Sequence, residues 1–154
     1  MRTQSNMKPV LFEIERHTDT AELIFRENVV ETEAGYVWDE YRMPVPYREN
    51  LAACVESAHT QWLEAAKKRE YDALAAQVRE KRDKLLADSD ARMCLDRMGL
   101  SVPTGTTFSA WLSFLRGISG SLTGPWADYR RALRDLPQQP GFPYQVAFPK
   151  QPEE

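Results

Sequence analysis

At 154 residues, with a net charge of -3, 42% hydrophobic and 28% charged residues, the chain has the size of one domain, or of one small domain with a helical arm, which excludes a large multidomain enzyme. This balance is that of a folded protein and not of a chain disordered throughout. The acidic excess creates no long-range attraction to nucleic acid or to an anionic membrane, and no apolar run approaches the roughly 20 residues of a membrane helix.

The first nine residues, Met1-Arg2-Thr3-Gln4-Ser5-Asn6-Met7-Lys8-Pro9, are too polar for a secretory signal. Cys54 and Cys94 stand far apart and form no framework of bridges, so reduced thiols and a cytoplasmic location are expected. From Val10 to Val45 the hydrophobic period is two. Val10, Phe12 and Ile14 alternate with Leu11, Glu13 and Glu15. His17-Thr18-Asp19-Thr20 supplies a turn, and Ala21 to Val30 reads as the second strand of a hairpin. Glu33-Ala34-Gly35 turns again into a third run, Tyr36 to Val45, closed by Pro44 and Pro46, which predict an edge or the end of the sheet. Three strands need a cover on their apolar face, and the following helix should supply it.

Arg48 to Ala87 contains no Gly or Pro and is rich in alanine, which predicts one long helix. Its apolar stripe runs Leu51, Val55, Ala58, Trp62, Ala65 and resumes at Tyr71, Leu74, Val78 and Leu85, with a kink or a departure from the sheet near Lys67-Lys68-Arg69. Pairs such as Glu64 with Lys68, Arg79 with Asp83 and Glu80 with Lys84 add about 0.2–0.5 kcal/mol each. Roughly forty helical residues would span on the order of 60 Å, so part of the helix either projects or pairs with another chain. The near-heptad stripe from Leu51 to Ala65 fits two alternatives: a coiled-coil contact that makes a homo-oligomer, or packing on its own sheet.

Beyond Asp90, Pro103 to Thr107 reads as a loop, with Thr107 or Ser109 capping a helix that bears Trp111, Leu112, Phe114, Leu115 and Ile118. Gly117, Gly120 and Gly124 are expected to end it. Pro125 suits the first turn of a closing helix, Trp126 to Arg134. Pro137, Pro140, Pro143, Pro149 and Pro152 then rule against a helix and favour extended structure. Proline-bounded Phe142 and Phe148 need a surface, either the chain's own closing helix or another protein. The fold class is therefore α+β: a small N-terminal antiparallel β-sheet over residues 1–46, one long α-helix over 47–90, and short helices with an extended Pro-rich C-terminal tail over 91–154.

Residues that could carry chemistry do not assemble into a motif. His17, His59, Cys54 and Cys94 lack zinc-ligand spacing, which predicts no metal site. Gly117-Ile118-Ser119-Gly120-Ser121 lacks the strand-to-helix setting of a nucleophile elbow and reads as a loop. Asp88-Ser89-Asp90 reads as a helix stop, and no glycine loop cradles phosphate. The basic residues from Lys67 to Lys84 are interleaved with acids, as on a solvated helix face. A catalytic residue, a cofactor, a nucleic-acid partner and a membrane partner are thus all unexpected.

The string Trp126-Ala127-Asp128-Tyr129-Arg130-Arg131-Ala132-Leu133-Arg134-Asp135-Leu136-Pro137, with Gln139, Gly141-Phe142-Pro143, Val146 and Phe148-Pro149 after it, resembles the C-terminal module of phage tail assembly chaperone proteins. The charged stretch Arg82 to Asp90 extends the likeness over roughly 79–150. The chain departs at Ala91, where the family usually has an aromatic residue, and at Phe148, where it usually has tryptophan. The stretch from Met93 to Gly124 also looks longer than the family's connection.

The resemblance implies a non-enzymatic phage or prophage tail assembly factor, chaperone-like, that binds an apolar surface of a tail or tail-fibre protein in the host bacterial cytoplasm. Partner contact is then expected from Trp126, Tyr129, Leu133, Phe142, Pro143, Val146, Phe148 and Pro149, and truncation before Pro137 should weaken binding while leaving sheet and long helix folded. Two alternatives remain open: a structural component of the virion tail at the baseplate or fibre attachment, and a carbohydrate-binding tail accessory protein that stacks sugars on Tyr36, Trp38 and Tyr41.

Overall fold

The computed structural model describes residues 2–90, 100–105 and 107–153. Ala91, Met93 and Cys94, singled out above, lie outside the described residues. Two compact units divide the chain, Met1–Ala73 and Leu74–Glu154.

The first unit holds four strands, β1 (Arg2–Ser5), β2 (Phe12–Arg16), β3 (Thr20–Thr32) and β4 (Gly35–Pro46), in the antiparallel order β1-β4-β3-β2. The sheet has one strand more than the three expected. The polar segment Arg2–Ser5 carries no alternation to announce it, yet it pairs with Tyr36–Asp39. Beyond Asp39, β4 has no strand partner on that side among the described residues, and its two prolines sit in that stretch, where a missing N–H breaks no ladder.

Two backbone positions shape the β3–β4 hairpin. Between Glu27 and Val30 the register slips by one residue, and Asn28, at φ +51°, forms the bulge while its amide donates to Asp39 Oδ2 at 2.8 Å. Gly35 closes the turn at φ +118°, and a β-carbon there would collide with the Ser5 carbonyl of β1.

Alternation sends Ala21, Leu23, Phe25 and Met43 to one face, where helix α1 (Leu51–Ser57) adds Leu51 and Val55 and helix α2 (His59–Asp90) adds Leu63 and Ala66. His59 lies edge-on to both Phe12 and Phe25, at ring-centroid distances of 6.0 and 5.4 Å. Covering this face is the main stabilisation of the unit, at about 25 cal/mol per Å² of apolar area removed from water.

The single long helix expected from Arg48 is interrupted at Ala58, not near Lys67. Ala58 has φ -134°, and the Ser57 hydroxyl donates back to the Cys54 carbonyl at 2.9 Å. The interruption resets the helical phase, so Leu63 and Ala66 face the sheet while Ala65 is exposed. Tyr71, placed in the stripe by its spacing, is also exposed. Lys67 pairs with Glu27 on the sheet at 2.8 Å and with Glu64 at 2.9 Å, displacing the expected Glu64–Lys68 pair, whereas Glu80–Lys84 forms as expected at 2.8 Å.

On the other sheet face the carboxylate of Glu40 accepts from Arg26 Nε at 3.0 Å, Arg42 Nε at 2.9 Å and Trp38 Nε1 at 3.2 Å. Burial alone would raise the pKa of Glu40, but these three donors outweigh it and hold the pKa below its ordinary value. Trp38 is thereby buried, and Tyr41 packs against the opposite, apolar face. Tyr36, Trp38 and Tyr41 consequently form no common stacking platform for a sugar.

The second unit contains the C-terminal part of α2, then α3 (Phe108–Leu122), α4 (Pro125–Arg134) and a 3-10 turn at Leu136–Gln138. Helix α3 runs through Gly117 and Gly120, which were expected to end it, and the supposed serine loop is helical. Each glycine costs about 1 kcal/mol in a helix, and Leu100 lies so close over Gly117 that a β-carbon would displace it. Thr107 occupies the N-cap position without a side-chain hydrogen bond.

Candidate partner-binding module

The closing helix begins where the sequence places it. Gly124 is extended at the N-cap, Pro125 fills the first turn, Asp128 lies near the positive helix start, and Arg131 and Arg134 lie near its negative end. Trp126, Tyr129 and Leu133 repeat at helical spacing. Tyr129 and Leu133 are buried and, with Leu136 from the 3-10 turn, make a compact core. Leu85 and Leu86 at the end of α2, together with Trp126, Val146 and Phe148, pack around it.

Arg130 fastens this helix to the end of α2. Its Nη1 donates to the Leu86 carbonyl at 3.0 Å, to Asp90 Oδ1 at 2.6 Å and to the buried Ser89 hydroxyl. One guanidinium thus bridges the Leu86 carbonyl, which also accepts from the Ser89 hydroxyl at 2.7 Å, and the Asp90 carboxylate beside it. Burial, and secondly the charge of Asp88, push the Tyr129 hydroxyl pKa up.

The tail is less extended than its prolines suggest. Leu136–Gln138 form the 3-10 turn with Pro137 inside it, which proline tolerates in a first turn. Residues 140–144 are turns, and residues 146–153 are without regular structure. Gly141 has φ +88°, which brings the Gln145 amide within 2.8 Å of its carbonyl. The Gln139 side chain then acts as a substitute strand: its Nε2 donates to the Ala147 carbonyl and its Oε1 accepts from the Ala147 amide, both at 2.9 Å. Arg79 sits over the Phe142 ring at 5.8 Å and Lys81 over the Phe148 ring at 4.4 Å.

The eight residues expected to meet a partner therefore fall into two groups. Tyr129, Leu133 and Pro143 are buried inside the unit. Trp126, Phe142, Val146, Phe148 and Pro149 remain half-buried. Arg79, Lys81, Leu86 and Ser89 fall within the 79–150 span of the resemblance, but none of them is among the eight residues expected to make contacts. They lie some forty residues or more upstream, and only folding brings them near.

Residues 119–153 match the family model described as phage tail assembly chaperone protein.

That span takes in the end of α3, α4, the 3-10 turn and the Gln139-fastened tail, so the match and the folded strap coincide. Residues 79–118, included in the resemblance, lie outside it. No curated protein and no solved structure matches the chain. The family match supports a role in phage tail assembly. Among the described residues, no group of three or more His, Cys, Asp or Glu side chains could hold a metal ion, and no helix is long and apolar enough to cross a membrane.

Proposed function

We propose that this protein is a non-enzymatic tail assembly factor that shields an apolar surface of a phage tail or tail-fibre protein in the host cytoplasm until assembly. The observation that carries the reading is the coincidence of the family match at residues 119–153 with a strap folded around its own apolar core. The half-buried side chains Trp126, Phe142, Val146, Phe148 and Pro149 border that core and supply the contact surface, while Tyr129, Leu133 and Pro143 hold their shape from within.

Binding of this kind needs only apolar burial, worth about 25 cal/mol per Å² before the entropy cost of association. No bond is made or broken. Co-expression with the tail proteins of the same phage tests the reading: a complex, or a gain in their solubility, is the expected result, and the absence of both would leave the reading without support. Mass spectrometry of purified particles then separates an assembly factor, absent from the particle, from a stoichiometric component of the virion tail.

A further inference from the structure

Helix α3 carries an apolar seam that the described residues leave largely in water. Phe108 is 80% exposed, Trp111 40% and Leu115 56%. With Ile118 they step by three, four and three residues, the a/d spacing of a helix that packs along another helix. Trp111 is set in place before any partner arrives: its Nε1 donates to the Gly105 carbonyl at 2.9 Å, and its ring meets Phe114 edge-on at 6.0 Å. A fixed aromatic anchor loses little freedom on binding.

We propose that α3 pairs with α3 of a second copy of this chain, antiparallel and about a two-fold axis. The seam has no charge within it, and the positions flanking it are Leu112, Phe114 and Ser119, so one copy meets another without like-charge repulsion. The only charge on the helix is Arg116. Antiparallel pairing sets Trp111 against Leu115 of the second copy and Phe108 against Ile118 of the second copy. It places Arg116 beside Ala110 and far from its own counterpart, whereas parallel pairing would put the two guanidinium groups side by side. Opposed helix dipoles add to the preference.

The area sets the strength. At roughly 150–250 Å² for a whole large aromatic side chain, the three exposed residues leave on the order of 300 Å² of apolar surface per copy. Two copies remove about twice that. The half-buried rims of Leu112, Phe114 and Ile118 add to this, and the total stays below the roughly 1,200 Å² at which stable interfaces begin. The product is a weak, reversible dimer, distinct from any pairing through the long helix α2.

Sedimentation equilibrium of the full chain, from micromolar to near-millimolar concentration, tests this. The average mass is expected to rise from 17.7 kDa toward twice that value. Leu115→Glu should weaken association at least about tenfold, as loss of one central contact does, with an unchanged circular dichroism spectrum. Phe108→Glu, at a helix start that accepts negative charge, is the second variant should Leu115→Glu misfold. Tyr71→Lys, on the exposed face of α2, should leave the dimer intact. A monomer at every concentration overturns the pairing and leaves the seam to a different protein. A dimer that survives both α3 substitutions, or that is lost with Tyr71→Lys alone, overturns it as well.

Discussion

The side-chain amide of Gln139 holds both backbone polar groups of Ala147, each at 2.9 Å. A proline-rich tail has few N–H groups with which to join a sheet or helix, so one side chain of the right shape substitutes for a neighbouring strand. Gln139→Glu keeps the acceptor for the Ala147 amide but loses the donor to its carbonyl, and Gln139→Ala loses both. Each is expected to destabilise the second unit, by about 1 and 2 kcal/mol respectively. Hydrogen exchange at the Ala147 amide should quicken in the alanine variant and remain slow in the glutamate variant. Equal protection in all three proteins would count against the clamp.

Arg130 is the other fastening of this unit. Arg130→Met removes the donor shared by Leu86, Ser89 and Asp90, and is expected to cost about 2–3 kcal/mol, as charge-assisted hydrogen bonds do. Arg130→Lys should recover part of this loss through the Asp90 carboxylate. Urea denaturation followed by far-ultraviolet circular dichroism reads both, and a methionine variant as stable as the parent would contradict the assignment.

Truncation after Leu136 removes Val146 and Phe148 from the Leu133 core and takes away the Gln139 clamp. The sheet of the first unit should survive, because its core of Leu23, Phe25, Val55 and Leu63 draws nothing from the tail. The second unit should lose cooperativity. Two-dimensional NMR would then show dispersed β-strand amides and collapsed signals from α4; dispersed signals from both would mean that the tail is dispensable.

Glu40 makes the first unit acid-sensitive. Its folded-state pKa lies below the ordinary value of 4.5, so the unfolded chain takes up the proton first. The stabilisation is complete above that value and is lost as pH falls from about 4.5 through the folded-state pKa. Glu40→Gln should flatten the acid limb of the stability profile and lower stability at neutral pH, where the Arg26 and Arg42 ion pairs are missing. An unchanged acid limb would place the sensitivity elsewhere.

Gly35→Ala forces a side chain onto φ +118° and into the Ser5 carbonyl, so it should release β1 from β4. Loss of protection at the amides of Arg2–Ser5, with β2 and β3 unaffected, is the expected pattern. Gly141→Ala meets only Gln145, at 3.3 Å, and bears mainly the strain of φ +88°, about 1–2 kcal/mol.

Local rules carried much of this protein. Alternation in Phe12 to Ile14 and Ala21 to Phe25, the Glu33-Ala34-Gly35 turn, and Pro125 at the head of α4 each state their structure within a few residues, because backbone sterics and the period of apolar side chains act at that range. Strand β1 escaped because it is polar and short, and its place depends on the edge of β4. The break at Ala58 escaped because no glycine or proline marks it, and packing on the sheet resets the phase there. In the tail, proline chemistry correctly predicted that no α-helix continues, but whether Phe148 meets this chain or another depends on which surface lies nearby. That was decided by Leu85, Leu86 and Lys81, residues far off along the chain whose side chains reach the tail only once α2 and α4 have packed.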